Sequence, residues 1–170
     1  MSNFRIGNGF DVHLLAEGLP FVLGGITVEH TRGCVAHSDG DVAIHSLCDA
    51  LLGALGLGDI GKYFPDSDPS FKAIDSKILL ERTYRMIVDR GWRLVNADIT
   101  ILLQRPKIAP YIEKMQRSLD SVFNSVDGGE NNDSITRCAV KATTTEKAGF
   151  VGREEGIAAY ASVLIEKKFA

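Results

Sequence analysis

Apolar residues recur along this chain in two rhythms, a period near two and a period near three and a half. From Phe4 to Val12 the pattern is strand-like, interrupted by Gly7 and Gly9. Phe21-Val22-Leu23 and Ile26-Thr27-Val28 flank Gly24-Gly25, which predicts a hairpin, because glycine supplies the positive φ that a two-residue turn demands. Thr31 to His37 reads as a loop. Ser38 reads as a helix N-cap, with Asp41 completing an acidic variant of the capping box. Asp41 to about Leu55 then runs as a helix, with Val42, Leu47, Leu51 and Leu52 apolar. Gly56 to Ser70 is broken by glycines and prolines into an irregular loop. Asp75 to Arg90 is an amphipathic helix with Gly91 as its C-terminal stop. Leu94 to Leu103 alternates, placing Val95, Ala97, Ile99 and Ile101 on one face, and Pro106 breaks it. A third helix spans Ile108 to about Phe123, and Asp127 to Ser134 is a polar loop. Ile135 to Ala142 and Ile157 to Ile165 read as the last strands. Strands alternating with helices predict an α+β fold, an α/β sandwich with a mixed sheet covered by helices on one face.

Length and charge narrow the function classes. The 170 residues, 45% of them hydrophobic, suit one domain spanning 1–170. The net charge of -3 is dispersed and no basic block appears, so nucleic acid is not an expected partner. Apolar runs are too short to span a bilayer, and the opening Met1-Ser2-Asn3-Phe4-Arg5 has neither signal-peptide nor transit-peptide character. The expected location is cytoplasmic, or plastid if a leader has been removed. Three cysteines, Cys34, Cys48 and Cys138, match no disulfide framework and are expected to be reduced. Cys34, close before His37, is read as a spectator thiol rather than a metal ligand, since no second cysteine follows at short spacing.

Candidate chemistry falls in five segments. Asp11 and His13 share one strand face and suit a zinc ion; two polar residues on a wet strand would look alike. Asp41, His45 and Asp49 share one helix face. His45 can complete an Asp-His-His site that leaves a fourth position open, as catalytic zinc requires, and Asp49 can orient an imidazole. Alternatively Asp41 caps the helix, His45 is a satisfied core histidine and Asp49 is solvated. Thr143, Thr144 and Thr145 offer hydroxyls to phosphate, with Glu146 as a hard oxygen ligand; a threonine run is also ordinary strand composition. The loop from Gly58 to Asp68 carries glycines that admit close backbone approach and carboxylates suited to hydroxyls. Leu103-Gln104-Arg105-Pro106-Lys107-Ile108 places two cations at a strand-to-helix turn, where phosphate is attracted.

Taken together, Gly9-Phe10-Asp11-Val12-His13, Ala36-His37-Ser38-Asp39-Gly40-Asp41-Val42, Gly58-Asp59-Ile60-Gly61-Lys62, Phe64-Pro65-Asp66-Ser67-Asp68 and Lys141-Ala142-Thr143-Thr144-Thr145-Glu146-Lys147 resemble the 2-C-methyl-D-erythritol 2,4-cyclodiphosphate synthases of the non-mevalonate isoprenoid pathway. The likeness runs from Arg5 to about Lys167. It implies a homotrimer whose sheets pack around a threefold axis, with active sites between neighbours. It also implies a substrate, 4-diphosphocytidyl-2-C-methyl-D-erythritol 2-phosphate, that closes to the cyclic diphosphate and releases CMP.

The implied zinc ligands are Asp11, His13 and His45. By the same resemblance, Glu146 would help bind a second divalent cation, magnesium or manganese. His37 and Thr144 would polarise the phosphates and Ser38 would help hold the phosphate end. Asp59, Ile60 and Gly61, with Phe64, Pro65, Asp66, Ser67 and Asp68, line the erythritol site. Leu103, Gln104, Arg105, Pro106, Lys107, Ile108 and Ala109, with Thr143, Thr144 and Thr145, form the neighbour's cytidine pocket, and Phe150 and Arg153 match further contact positions. Asn8 replaces a histidine frequent in the family, and Tyr160 stands where an acidic residue can pair with the Arg153 position. Other functions remain on the table: a metal-dependent phosphohydrolase, or a non-catalytic nucleotide- or isoprenoid-binding module with structural zinc.

Overall fold

The computed structural model describes residues 3–65, 67–129 and 136–168. Among the described residues, seven strands, β1 (Phe4–Glu17), β2 (Val22–Leu23), β3 (Ile26–Thr27), β4 (Arg32–Val35), β5 (Trp92–Leu102), β6 (Cys138–Thr143) and β7 (Gly156–Lys167), are interleaved with five helices, α1 (Val42–Ala54), α2 (Ile60–Tyr63), α3 (Ser76–Val88), α4 (Ile112–Val126) and α5 (Gly149–Gly152). The main sheet runs β4-β1-β7-β5-β6. It is mixed: β5 and β6 are parallel, while β1 is antiparallel to β4 and β7, and β7 to β5. The predicted glycine-turn hairpin is β2–β3.

Helix α1 is apolar nearly all round, with Val42, Ala43, Ile44, Leu47, Ala50 and Leu51 buried, because it is pressed between the sheet and α3. Its fit against β1 depends on two missing side chains. A Cβ on Gly7 would lie 1.9 Å from the Ala50 carbonyl oxygen, and one on Gly9 would lie 1.9 Å from that of Ser46. Helix and strand therefore meet backbone to backbone. Leu79, Leu80, Tyr84 and Ile87 of α3 and Met115, Leu119 and Phe123 of α4 repeat at helical spacing and close the core.

The other face of β1 carries exposed apolar side chains: Ile6, Phe10, Val12 and Leu14, beside Val35 of β4 and Tyr160 of β7. Phe10 and Tyr160 are paired across strands, with ring centroids 4.6 Å apart.

Several expectations are corrected. The segment read as a loop from Thr31 to His37 contains β4, paired with the end of β1 from Leu14↔Val35 to Glu17↔Arg32. A four-residue edge strand shows too few positions to reveal alternation. Asp41, not Ser38, caps α1, accepting from the Ile44 amide at 3.0 Å. Val95 is exposed and Leu94 takes the core position, since a bulge between Leu94 and Asn96 shifts the register. The irregular 56–70 region holds α2 and a 3-10 turn at Pro69–Phe71. The third helix is preceded by a 3-10 turn, Ala109–Tyr111, and continues to Val126. The expected strand from Ile135 begins at Cys138, with Ile135 itself outside the described residues. The three cysteines are free and buried; burial, reinforced by Asp41, Asp11 and Asp39, pushes the Cys34 thiol up to about 12, which makes it inert as a ligand or nucleophile.

Candidate active site

Alternation along β1 turns Asp11 and His13 toward the helix layer, on the same face as Gly7 and Gly9. Because those glycines let α1 lie directly on the strand, His45 in its first turns reaches the pair. His13 Nε2 and His45 Nδ1 each lie 3.0 Å from Asp11 Oδ2, and 3.0 Å from each other. The rings meet edge-on at 81°. A tetrahedral shell with bonds of about 2.0–2.1 Å sets neighbouring donors about 3.3 Å apart, so a small outward shift of these groups admits a metal ion. Among the described residues this is the cluster whose donors fit one, all lying within 4.8 Å of one another.

Burial alone would raise the pKa of Asp11, but hydrogen bonds and charge from His13 and His45 outweigh it and hold the carboxyl well below the usual carboxylate range. For His45, burial favours the neutral ring, yet the hydrogen bond and charge of Asp11, with Asp41 and Asp39 behind, raise its pKa. Without a metal, the cluster therefore holds a proton more readily than a free imidazole does.

On its far side, His45 Nε2 lies 3.0 Å from Ser76 Oγ and 3.1 Å from Ser38 Oγ. Asp39 binds both the hydroxyl and the backbone amide of Ser76. Neither Asp39 nor Ser76 was expected at the site; Ser76 lies remote in sequence on a helix read only for its apolar face. Conversely, the two acids expected to share the His45 face are diverted. Asp41 accepts from the amides of Gly24 and Gly25 at 3.0 and 2.6 Å, and Asp49 accepts from Ile60 N at 2.8 Å rather than orienting an imidazole. Both carboxylates brace loops.

The cluster opens into a cleft of about 570 Å³ whose walls include His37, Ser38, Ile60, Gly61, Phe64, Pro65 and Ser67. His37 Nε2 is buried and has no hydrogen-bond partner among the described residues. Asp59 caps α2 through Lys62 N at 3.1 Å, Asp68 caps the 3-10 turn through Ser70 N at 2.9 Å, and Asp66 lies outside the described residues.

A second concavity forms where the parallel strands β5 and β6 end. Leu103 N donates to the Thr143 carbonyl at 3.0 Å, which lays the two following loops side by side. Leu103, Gln104, Pro106, Lys107, Ile108 and Ala109 line it with Thr143 and Thr144. An adjoining cavity of about 470 Å³ adds Arg105 and His30, the latter not foreseen. Thr144 donates to Glu146 Oε1 at 2.8 Å, while the Thr145 hydroxyl is spent on the Ala148 carbonyl at 2.6 Å. Glu146 and Lys147 adopt left-handed φ of 50° and 65°, a strained conformation of the kind that clusters at ligand sites. Glu146 is not part of the Asp11–His13–His45 cluster. Arg153 pairs with Glu155, its Nε 2.8 Å from Oε1, and Phe150 is exposed beside Gly156; neither lines these concavities.

The two regions sit far apart in the sheet. Asp11 pairs with Ala159, Ile101 with Ala159 in turn, and Ala142 with Ile101, so three strand spacings, about 14 Å, separate the metal cluster from the threonine loop.

Comparison with known proteins shows the family and the fold. The family model described as the YgbB family matches residues 4–166. The 2-C-methyl-D-erythritol 2,4-cyclodiphosphate synthase of Bacillus mycoides is 51% identical over 165 residues, 97% of this chain and 99% of that protein. The solved structure of the bifunctional IspDF from Campylobacter jejuni is 44% identical with a TM-score of 0.86, over 96% of this chain; this chain spans 42% of that longer one. The CDP complex of IspF from Plasmodium falciparum is 31% identical with a TM-score of 0.81, covering 99% of this chain and 100% of that one. With the family model spanning nearly every residue and the fold shared across these relatives, the chain belongs to the YgbB family, that of the 2-C-methyl-D-erythritol 2,4-cyclodiphosphate synthases.

Proposed function

We propose that this chain, acting as one catalytic domain over 1–170, carries out the cyclisation for which its relatives are named, on 4-diphosphocytidyl-2-C-methyl-D-erythritol 2-phosphate. The 2-phosphate oxygen attacks the β-phosphorus, the bond from the β-phosphorus to the bridging oxygen breaks, and CMP leaves with that oxygen, a phosphorus–oxygen lyase reaction. The observation that carries this reading is the Asp11–His13–His45 cluster opening into the cleft walled by Ile60, Gly61 and Phe64. One carboxylate and two imidazoles with an open fourth position suit zinc. When bound, zinc supplies Lewis-acid polarisation of a phosphate oxygen.

The protein's own groups then position the rest. The partnerless Nε2 of His37 serves a phosphate oxygen. Ser38 accepts from Gly40 N at 3.2 Å and keeps its hydroxyl proton to donate to the phosphate end. When substrate binds, Thr144 turns its one hydroxyl proton from Glu146 to the diphosphate, and the carboxylate so released would hold a second divalent cation, magnesium or manganese. Cytidine occupies the concavity at Leu103–Ala109. The nucleophile belongs to the substrate, so catalysis rests on orientation and charge neutralisation.

A homotrimer completes the site. The metal cluster and the cytidine pocket lie toward opposite edges of the sheet, and a cyclic assembly joins two different patches of neighbouring copies. The exposed apolar face of β1 suits burial on the threefold axis. Reduced, buried cysteines suit a cytoplasmic setting.

Incubation with the cytidine diphospho substrate and a divalent cation, read by phosphorus NMR, tests the reaction. CMP and a cyclic diphosphate should appear in equal amounts. Release of inorganic phosphate without a cyclic product would assign a phosphohydrolase instead.

A further inference from the structure

We infer that Ser76, held by Asp39, is a positioning residue that sets the tautomer of His45 and so leaves the lone pair of Nδ1, the ring nitrogen that faces the cluster, free for the metal. This rests on the metal reading of the Asp11–His13–His45 cluster. A neutral imidazole carries one proton, on Nδ1 or on Nε2. His45 is 5% exposed, so its partners are fixed by the protein. Nδ1 faces Asp11 and His13. Nε2 faces the hydroxyls of Ser76 and Ser38, and a hydroxyl either donates or accepts. Two hydroxyls alone leave the tautomer undecided.

Asp39 removes the ambiguity. An ionised carboxylate only accepts, and Asp39 Oδ1 takes the single hydroxyl proton of Ser76. The Ser76 oxygen is left as an acceptor toward His45, which places the ring proton on Nε2. The lone pair on Nδ1 then points at the Asp11–His13 locus, as a ligand must. This extends the carboxylate–histidine–metal arrangement by one hydroxyl. Asp39 is itself anchored: Oδ2 accepts from Ser76 N at 2.9 Å, Oδ1 from Asp41 N at 3.2 Å, and its own amide donates to the Ile74 carbonyl at 3.1 Å. Ser76 is fully buried and does not line the cleft, so it has no contact role with substrate. Ser38 does line the cleft. The two hydroxyls at Nε2 are thereby divided, Ser76 to orient the ring and Ser38 to face the ligand.

The test uses zinc-loaded protein with nitrogen-15-labelled histidine. Long-range proton–nitrogen spectra assign the tautomer, and competition with a chelator measures zinc affinity. Wild type should show His45 protonated on Nε2, with a slowly exchanging ring proton. Ser76→Ala should lose that slow exchange and bind zinc about 10–100-fold more weakly. Ser76→Thr, which keeps the hydroxyl, should recover most of the affinity. Asp39→Asn should weaken zinc in the same direction, because its amide can donate to Ser76 and free the hydroxyl proton; it also decides the matter if Ser76→Ala fails to fold. Wild-type affinity and wild-type ring-proton exchange in Ser76→Ala, or in Asp39→Asn where only that variant folds, would overturn the inference. A wild-type protein that retains no stoichiometric zinc would instead remove the metal reading on which it rests.

Discussion

Two opposing requirements meet at His45. Metal binding needs the neutral ring, while Asp11, with Asp41 and Asp39, raises its proton affinity above the ordinary imidazole value of 6.5 against the effect of burial. In metal-free protein, protonated His45 therefore stabilises the fold below the unfolded value, and that contribution disappears as pH rises through the higher folded value. Asp11 stays ionised across this window, its own pKa being depressed. With zinc present the sign reverses, because the ion displaces the proton more readily as pH rises. Melting temperatures measured from about pH 6 to about pH 9 should fall with pH for the metal-free protein relative to a His45→Ala control, and rise for the zinc-loaded one. Parallel slopes in the two forms would exclude His45 as a ligand.

At the level of elements, the contact of α1 with β1 decides whether a cluster exists at all. Asp11 and His13 are positioned by strand alternation and His45 by helix phase, but their meeting requires the close approach that Gly7 and Gly9 permit. Gly9→Ala forces a Cβ to within 1.9 Å of the Ser46 carbonyl oxygen, a backbone atom that no rotamer change can move. The helix must lift, at a cost of about 1–3 kcal/mol, and carry His45 away from its partners. Urea denaturation should report the lost stability, and elemental analysis should report zinc falling well below one per chain. Full zinc content in a destabilised Gly9→Ala protein would show that the cluster tolerates separation of the two elements.

The strand–helix alternation, the hairpin and the closing strand were legible in the residue pattern, since each element is long enough to show its period. β4 was not, because four edge residues include Gly33 and Cys34 and show no alternating apolar face. Val95 was misplaced because a bulge inverts the parity of every residue that precedes it, and no local rhythm announces a bulge.

For the whole molecule, the exposed apolar face of β1 is the feature that a free monomer explains least well. Ile6 and Leu14 are 69% and 64% exposed, and with Phe10, Val12, Val35 and Tyr160 they form a stripe across neighbouring strands, interrupted by the Asn8–Ser162 pair. Patches of this kind mark interaction surfaces. The proposed trimer predicts a sedimenting mass three times that of the chain. Phe10→Asp, which sets a charge in the middle of the stripe, should shift the protein toward monomer. It should also abolish CMP release while sparing zinc, whose ligands lie on the other face of β1. A wild-type monomer with full activity would mean that each chain holds a complete site.

By itself the residue order determined which chemistry the chain carries. Asp11 and His13 share a strand face and His45 stands on a helix, and those residue types at those spacings are local facts that survive any packing. Tertiary structure alone decided which atom faces which. Asp41 and Asp49 have the same helical phase as His45, yet packing turns one to the amides of Gly24 and Gly25 and the other to that of Ile60. Asp39 and Ser76 carry no shared local signal, yet they converge on Nε2 of His45. Periodicity reports the side of an element that is buried; the partner found there depends on how elements distant in sequence are stacked, which here is set by the backbone contact of α1 with β1 and by the docking of the α3 N-terminus against the Asp39 turn.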